Sequence, residues 1–198
     1  MKKIIALDAD GVLLDYGTAY GRAWARYSGS DPVERDPQAY WPMQRWAVPR
    51  LSGQDLEDFR RQFDQDFWSS IPAMPGALQA CQLLVENGHE LLCVTALDEQ
   101  FGQARQRNLQ SLGFPIARVI TTSMEALHES PKAPVLRALQ PLAFVDDFGP
   151  YFTGVGPGIH KALVIRDPNG SPNTNEVLAR VDSSHQDLLG FARWWIEC

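Results

Sequence analysis

The 198-residue chain is short of cysteine, of lysine and of long apolar runs. Its three cysteines, Cys81, Cys93 and Cys198, are odd in number and contain no Cys-x-x-Cys pair. That spacing argues against a disulfide framework or a structural zinc site and suits reduced thiols in the cytoplasm. Between Lys3 and Asp8 stand only Ile4, Ile5, Ala6 and Leu7, too few for a signal peptide, and no later run is long enough to span a bilayer. No repeat period is present, which excludes a solenoid. The formal net charge of −6 disfavours a nucleic-acid polymer as partner. A small anionic substrate is compatible with it, because a metal and a few local cations outweigh the overall field. The four histidines, His89, His128, His160 and His185, are scattered and suggest no shared role.

What is present starts at the amino terminus. Residues Met1 to Leu7 form a short β-prone run that breaks into Asp8-Ala9-Asp10-Gly11-Val12-Leu13-Leu14. Alternate residues of an extended chain point the same way, so Asp8 and Asp10 can face one site, with Gly11 allowing a sharp turn beyond them. Taken singly, Asp-x-Asp-Gly also fits an ordinary turn. Later stretches give it company.

Residues 15–72 hold 11 of the 20 aromatics and show no strand-like alternation. Ser52-Gly53-Gln54-Asp55 resembles a capping box ahead of Leu56, Phe59, Phe63 and Phe67 at helical spacing, so this stretch reads as a small all-helical insertion. From Pro72 onward helices and strands alternate. Strands are expected at Glu90–Thr95, Arg118–Thr121, Leu142–Val145 and Lys161–Ile165, and a helix is expected to open at Ser130-Pro131-Lys132 with proline at its first position. A helix containing Leu188, Leu189, Phe191, Trp194 and Trp195 closes the chain. The expected fold is α/β: a Rossmann-like parallel sheet of about five strands, covered by helices on both faces, with a core at 1–14 and 73–198 and a helical cap at 15–72.

Such sheets bind ligands beyond the carboxyl ends of their strands. Asp8 and Asp10, Thr95, and Asp146-Asp147 all fall at those ends. A carboxylate that attacks phosphorus needs a hard cation held by oxygen ligands and donors for the transferring group. Asp8, Asp146 and Asp147 supply the former, Thr95 and Lys132 the latter. Lys132 sits in the first turn of a helix, where a cation opposes the macrodipole unless an anion is near.

Asp8-Ala9-Asp10-Gly11-Val12-Leu13, Val94-Thr95, Lys132 and Val145-Asp146-Asp147 resemble the four motifs of the haloacid dehalogenase-like hydrolase superfamily. The helical insertion also stands where that superfamily carries a cap. The resemblance implies a nucleophile at Asp8 and an acid/base at Asp10. It implies a phosphoryl site made by Asp10, Gly11, Thr95, Ala96 and Lys132, and magnesium on Asp8, Asp10, Asp146 and Asp147. An acid at Asp10 favours phosphatase over dehalogenase chemistry. Because Lys2, Lys3, Lys132 and Lys161 are the lysines of this chain and none is in the cap, a Schiff-base phosphonatase is disfavoured.

Residues Phe67 to Ala77 further resemble the cap-to-core junction of deoxyribonucleotidase-type 5′-nucleotidases, which implies cap aromatics against a base. Trp41, Trp46, Phe67 and Trp68 are the candidates, with Arg45 and Arg50 for polar edges of the ligand. Ala96 departs from that pattern, where a hydroxyl is usual. The expected activity is therefore magnesium-dependent hydrolysis of a small phosphate monoester by a monomer or homodimer, without a membrane or nucleic-acid partner. A phosphomutase, or a non-catalytic phosphate-binding scaffold, is the alternative.

Overall fold

The computed structural model describes residues 3–123 and 128–198; Met1 and Lys2, at the head of the expected first strand, lie outside the described residues. Its strands are β1 (Lys3–Leu7), β2 (His89–Ala96), β3 (Ile116–Thr122), β4 (Ala143–Asp146), β5 (His160–Val164) and β6 (Ser183–His185). They form one sheet in the order β3-β2-β1-β4-β5-β6, and every pairing is parallel. The sheet holds one strand beyond the expected count of about five. Strand β6 is three polar residues at the sheet edge, joined to β5 by Ala162↔Ser183 to Val164↔His185, and so has no apolar alternation to announce it.

Strand alternation divides the interior in two. Ile5, Leu7, Leu91, Cys93, Ala143, Val145, Ala162 and Val164 face one buried cluster, whereas Ala6, Val94, Phe144 and Leu163 face another. On the first face lie α5 (Ala77–Glu86), α6 (Gly102–Ser111) and α9 (Leu188–Glu197), contributing Ala80, Leu84, Leu109 and Phe191. On the second lie α7 (Ala133–Leu139), through Leu136, and the short turn Gly149–Phe152, through Phe152. Each fully buried Leu, Ile or Phe stabilises the fold by about 1.5–3 kcal/mol before entropy is counted. A sheet packed on both faces offers solvent only its edges and its strand ends, and chemistry collects at the latter.

Residues 15–72 carry α1 (Tyr16–Ser28), α2 (Pro42–Arg45), α3 (Gly53–Arg60) and α4 (Gln65–Ser69), with isolated bridges in place of strands. Trp24, Phe59 and Phe67 belong to the same buried cluster as one face of the sheet. Ser52 does precede α3, but its side chain makes no capping bond. The helix expected from Ser130 starts later: Ser130 accepts the Lys132 N–H at 3.2 Å through Oγ, its carbonyl accepts that of Ala133 at 3.0 Å, and α7 begins only there, with Pro134 in its first turn. A short helix, α8 (Asn175–Leu178), stands between β5 and β6. No helix among the described residues is long and apolar enough to cross a membrane.

Candidate active site

Register brings the site together. β1 pairs with β4 at Leu7↔Val145 and with β2 at Leu7↔Cys93. One step on, the Asp8 N–H donates to the Val145 carbonyl at 2.9 Å, which sets Asp8 level with Asp146 at the end of β4. Thr95 stands two residues beyond Cys93, buried at the end of β2. The chain then turns sharply at Gly11, whose φ is +89°, and the Leu13 and Leu14 N–H groups return to the Ala9 carbonyl at 2.8 Å. A Cβ at Gly11 would collide with the Asp147 carboxylate and lie 2.5 Å from Arg166 Nε. Glycine is needed there for both conformation and room.

Three cations hold four carboxylates. Lys132, fully buried, places Nζ 2.6 Å from Asp8 Oδ1 and 2.7 Å from Asp146 Oδ2. The faces of Tyr151 and Phe144 complete its surroundings at 4.7 and 5.5 Å. Burial alone would lower the Lys132 pKa, but Asp146 and Asp8 reverse this and keep it above its ordinary value. Arg105 Nη2 donates to Asp10 Oδ2 at 2.8 Å, and Arg166 Nε to Asp147 Oδ2 at 2.7 Å. Asp147 is held again through its carbonyl, which accepts from Asn173 Nδ2 at 2.8 Å.

The acids remain strained electrostatically. Burial raises the Asp146 carboxyl well above the usual range; Lys132 opposes it, while Asp8 and Asp147 push the same way as burial. Burial likewise raises Asp147 against Arg166, and Asp10 against Arg105. One further cation would relieve this. Asp8, Asp146 and Asp147 present carboxylate oxygens within 4.8 Å of one another, an all-oxygen donor set suited to a hard divalent ion. The Asp10 carboxylate is outside that group, its Oδ2 accepting from Arg105 Nη2 at 2.8 Å.

The cluster opens into a cavity of about 330 Å³ lined by Asp8, Asp10, Thr95, Ala96, Lys132 and Asp147 below and by Tyr16, Tyr40, Trp41, Trp68, Phe148 and Tyr151 above and around. Trp41 and Trp68 are therefore at the cavity. The other expected substrate residues are not. Phe67 is buried among aromatics, 4.8 Å from the Phe63 ring and 4.9 Å from the Trp68 ring. Trp46 packs over Gly21 and donates to the Gly17 carbonyl at 2.8 Å. Arg45 pairs with Glu34 at 2.7 Å and lines a neighbouring recess of about 210 Å³, and Arg50 is exposed. A helix turns about 100° per residue, so Phe67 and Trp68 cannot both face the cavity.

Two residues of the site were missed from sequence. Arg166 stands two residues beyond the end of β5, close to the strand ends that carry Asp8 and Asp146. Arg105 lies on α6 between Ala104 and the Asn108–Leu109 pair, all buried. An arginine on the apolar face of a helix was its signal.

The sequence matches no protein-family model and no curated protein. Solved structures match it along nearly its whole length. A HAD family hydrolase from Deinococcus radiodurans R1, with bound phosphate and sodium, superposes at a TM-score of 0.68 with 13% identity, covering 99% of this chain and 96% of its own. A predicted phosphoglycolate phosphatase from Haemophilus somnus 129PT gives 0.61 with 16% identity and 98% of both chains. The defluorinating L-2-haloacid dehalogenase Rha0230 gives 0.61 with 11% identity, covering 98% of this chain and 94% of its own. This chain has the haloacid dehalogenase-like fold. At such low identity the agreement is one of architecture. Within that fold, Asp8, Thr95, Lys132 and the Asp146–Asp147 pair stand at successive strand or helix termini around one cavity.

Proposed function

We propose that the protein is a phosphatase, a magnesium-dependent hydrolase of a small phosphate monoester with Asp8 as nucleophile. One observation carries the reading: the Asp8 carboxylate is buried beside Asp146 and Asp147, bound through Oδ1 by the fully buried Lys132, and lines a cavity together with Lys132 and Asp147. Magnesium held by Asp8, Asp146 and Asp147 would screen the repulsion between the nucleophile and an anionic phosphoryl group.

An Asp8 oxygen attacks phosphorus, and the bond from phosphorus to the ester oxygen breaks. The electron pair stays on the departing oxygen, which takes the proton of Asp10. The Asp10 carboxyl is suited to carry that proton because burial raises its pKa. In the second half, the Asp10 carboxylate removes a proton from water, whose oxygen attacks the aspartyl-phosphate. The bond between phosphorus and Asp8 breaks, which restores the carboxylate and releases inorganic phosphate. Thr95 and Lys132 supply donors to the transferring oxygens.

The six aromatic rings lining the cavity favour a leaving group with flat faces, and a nucleoside monophosphate has that chemistry. Residues 15–72, which contribute Tyr16, Tyr40, Trp41 and Trp68 to the lining, act in this reading as a cap over the site. Carbon–halogen hydrolysis fits less well, since a monoanionic haloacid has no need of a three-carboxylate cation site.

The test is phosphate release with magnesium from nucleoside monophosphates, sugar phosphates and an aryl phosphate, with Asp8→Asn and excess chelator as blanks. Turnover that disappears in both blanks is expected. No Asp8-dependent release from any ester refutes the phosphatase, and release from sugar phosphates alone refutes the nucleotide preference.

A further inference from the structure

Arg105 is the anomaly of the site. Its side chain is fully buried, yet only Nη2 has an acceptor, Asp10 Oδ2 at 2.8 Å, while Nε and Nη1 have no hydrogen-bond partner. Buried polar groups are nearly always satisfied, and a guanidinium left short of acceptors persists where something else depends on it. It does not line the cavity, so it is not placed to touch substrate. What it does touch is Asp10, which lines the cavity, and the face of Trp68, whose ring centroid lies 5.1 Å from Arg105 Cζ. Asn108, one turn along α6, donates from Nδ2 to the Ile71 carbonyl at 3.0 Å, and Gln65 donates from Nε2 to the Gln100 carbonyl at 2.8 Å. These contacts seat α6 and the turn before it against residues 65–71.

We propose that Arg105 is the positioning residue of this enzyme: its guanidinium, held over the Trp68 ring, fixes the Asp10 carboxylate against the leaving oxygen. The proposal rests on the phosphatase reading above. A carboxyl group at the end of one rotatable side chain sweeps an arc, and misplacement by about 1 Å costs on the order of 100-fold in rate. A single charge-assisted hydrogen bond from a guanidinium that is itself clamped under an aromatic face removes that freedom. The backbone of Asp10 is already bridged to Leu14, so the side chain is the part left for Arg105 to hold.

A residue acting through a general acid leaves a signature in the leaving group. Departure of an alkoxide, as from a nucleoside 5′-phosphate, needs a proton from Asp10; departure of p-nitrophenolate does not. The experiment measures first-turnover product release for both esters in wild type, Arg105→Met, Asp10→Asn and the double variant, with magnesium present and Asp8→Asn as blank. Arg105→Met is expected to slow alkyl ester cleavage on the order of 100-fold, in line with the contribution of general acid catalysis. It should slow first-turnover nitrophenol release less than tenfold, and add nothing further in the Asp10→Asn background. Arg105→Lys, which retains a buried cation, should recover part of the loss and carries the same comparison if the methionine variant does not fold. Equal slowing of both esters, no slowing of either, or a full additional loss in the Asp10→Asn background overturns the assignment. Wild type with no Asp8-dependent turnover instead overturns the phosphatase reading itself.

Discussion

Replacing Lys132 by methionine tests the electrostatics of the site independently of any substrate. The ammonium is wholly buried and lies 2.6 Å from Asp8 Oδ1 and 2.7 Å from Asp146 Oδ2, with side-chain exposures of 9% and 0% for the two partners. Removing it leaves two buried carboxylates without their cation. Breaking a buried pair from one side costs about 3–5 kcal/mol, and a protein of this length loses about 2–4 °C of Tm per kcal/mol, so chelated Lys132→Met should melt roughly 6–20 °C below wild type. The loss should be smaller at pH 6 than at pH 8, because burial already raises the Asp146 carboxyl and a proton replaces the missing cation more cheaply at the lower pH. Magnesium should restore much of the difference. An ion at one hundred times its Kd stabilises by about 2.7 kcal/mol, and in the variant it no longer shares its ligands with an ammonium, so its Tm increment should exceed that of wild type. Circular-dichroism melts of both proteins with chelator and with magnesium make the comparison. A variant that melts with wild type in chelator, or equal magnesium increments in the two, would refute the account of Lys132 and the metal competing for one set of carboxylates.

Other perturbations test other parts. Gly11→Ala forces a side chain into φ +89° and onto Asp147. The left-handed backbone alone costs about 1–2 kcal/mol, and displacement of Asp147 and Arg166 should abolish turnover even where the fold survives; near-normal activity in this variant rules out the packing described here. Trp41, 42% exposed, stands edge-on to Tyr40 and Phe148 at 4.9 and 6.3 Å. Base stacking of about 1–3 kcal/mol implies that Trp41→Ala raises KM for a nucleoside monophosphate on the order of tenfold, and more than for a small alkyl phosphate; equal changes in the two argue against stacking. Far from the site, burial lowers the pKa of His89, His160 and His185, and Ser183 Oγ lies between His160 Nε2 at 2.8 Å and His185 Nε2 at 2.9 Å. The unfolded chain then binds more protons between its histidine pKa and the lower folded values, so Tm should fall as pH drops from about 7 to 5. His160→Gln/His185→Gln should flatten that slope, and an unchanged slope in the double variant removes these two imidazoles as its source.

Much of the site was legible because it obeys one rule. Acids or hydroxyls that directly follow an apolar, β-branched run are at the end of a buried strand, and a parallel sheet gathers such ends at one edge. Asp8, Thr95 and Asp146-Asp147 satisfy it; Arg166 stands at the same edge but is a cation, and a rule built on acids and hydroxyls does not select it. Lys132 was legible through conflict with the helix dipole, although the helix itself starts two residues later than proline placement suggested. Arg105 was not read because a polar residue on a helix is ordinarily assigned to the solvent face, and only the flanking Ala104, Asn108 and Leu109 indicate otherwise. Phe67, Trp46 and Arg45 could not be told from Trp41 and Trp68 in sequence, because a small helical insertion draws its own core and its cavity lining from the same residue types. The three-residue β6 had no signal, since an edge strand needs only one partner's backbone and can be polar throughout.

The distribution of charge also fixes an order in which ligands should arrive. With all four carboxylates ionised, Asp8, Asp10, Asp146 and Asp147 exceed Lys132, Arg105 and Arg166 by one negative charge. A phosphate dianion entering that site meets net repulsion in a buried, low-dielectric setting, where like charges are costly. A divalent cation reverses the sign first, after which the dianion returns the site to the charge it began with. The two ligands are therefore coupled, and linkage requires the coupling to be reciprocal: phosphate must tighten the metal by the same factor as the metal tightens phosphate. None of this requires the carboxylates to move. Lys132, Arg105 and Arg166 already fix them in the folded protein, so the cost of bringing four acids together is met in folding by the two apolar layers around the sheet, and little reorganisation is left for the moment when charge develops on the leaving oxygen.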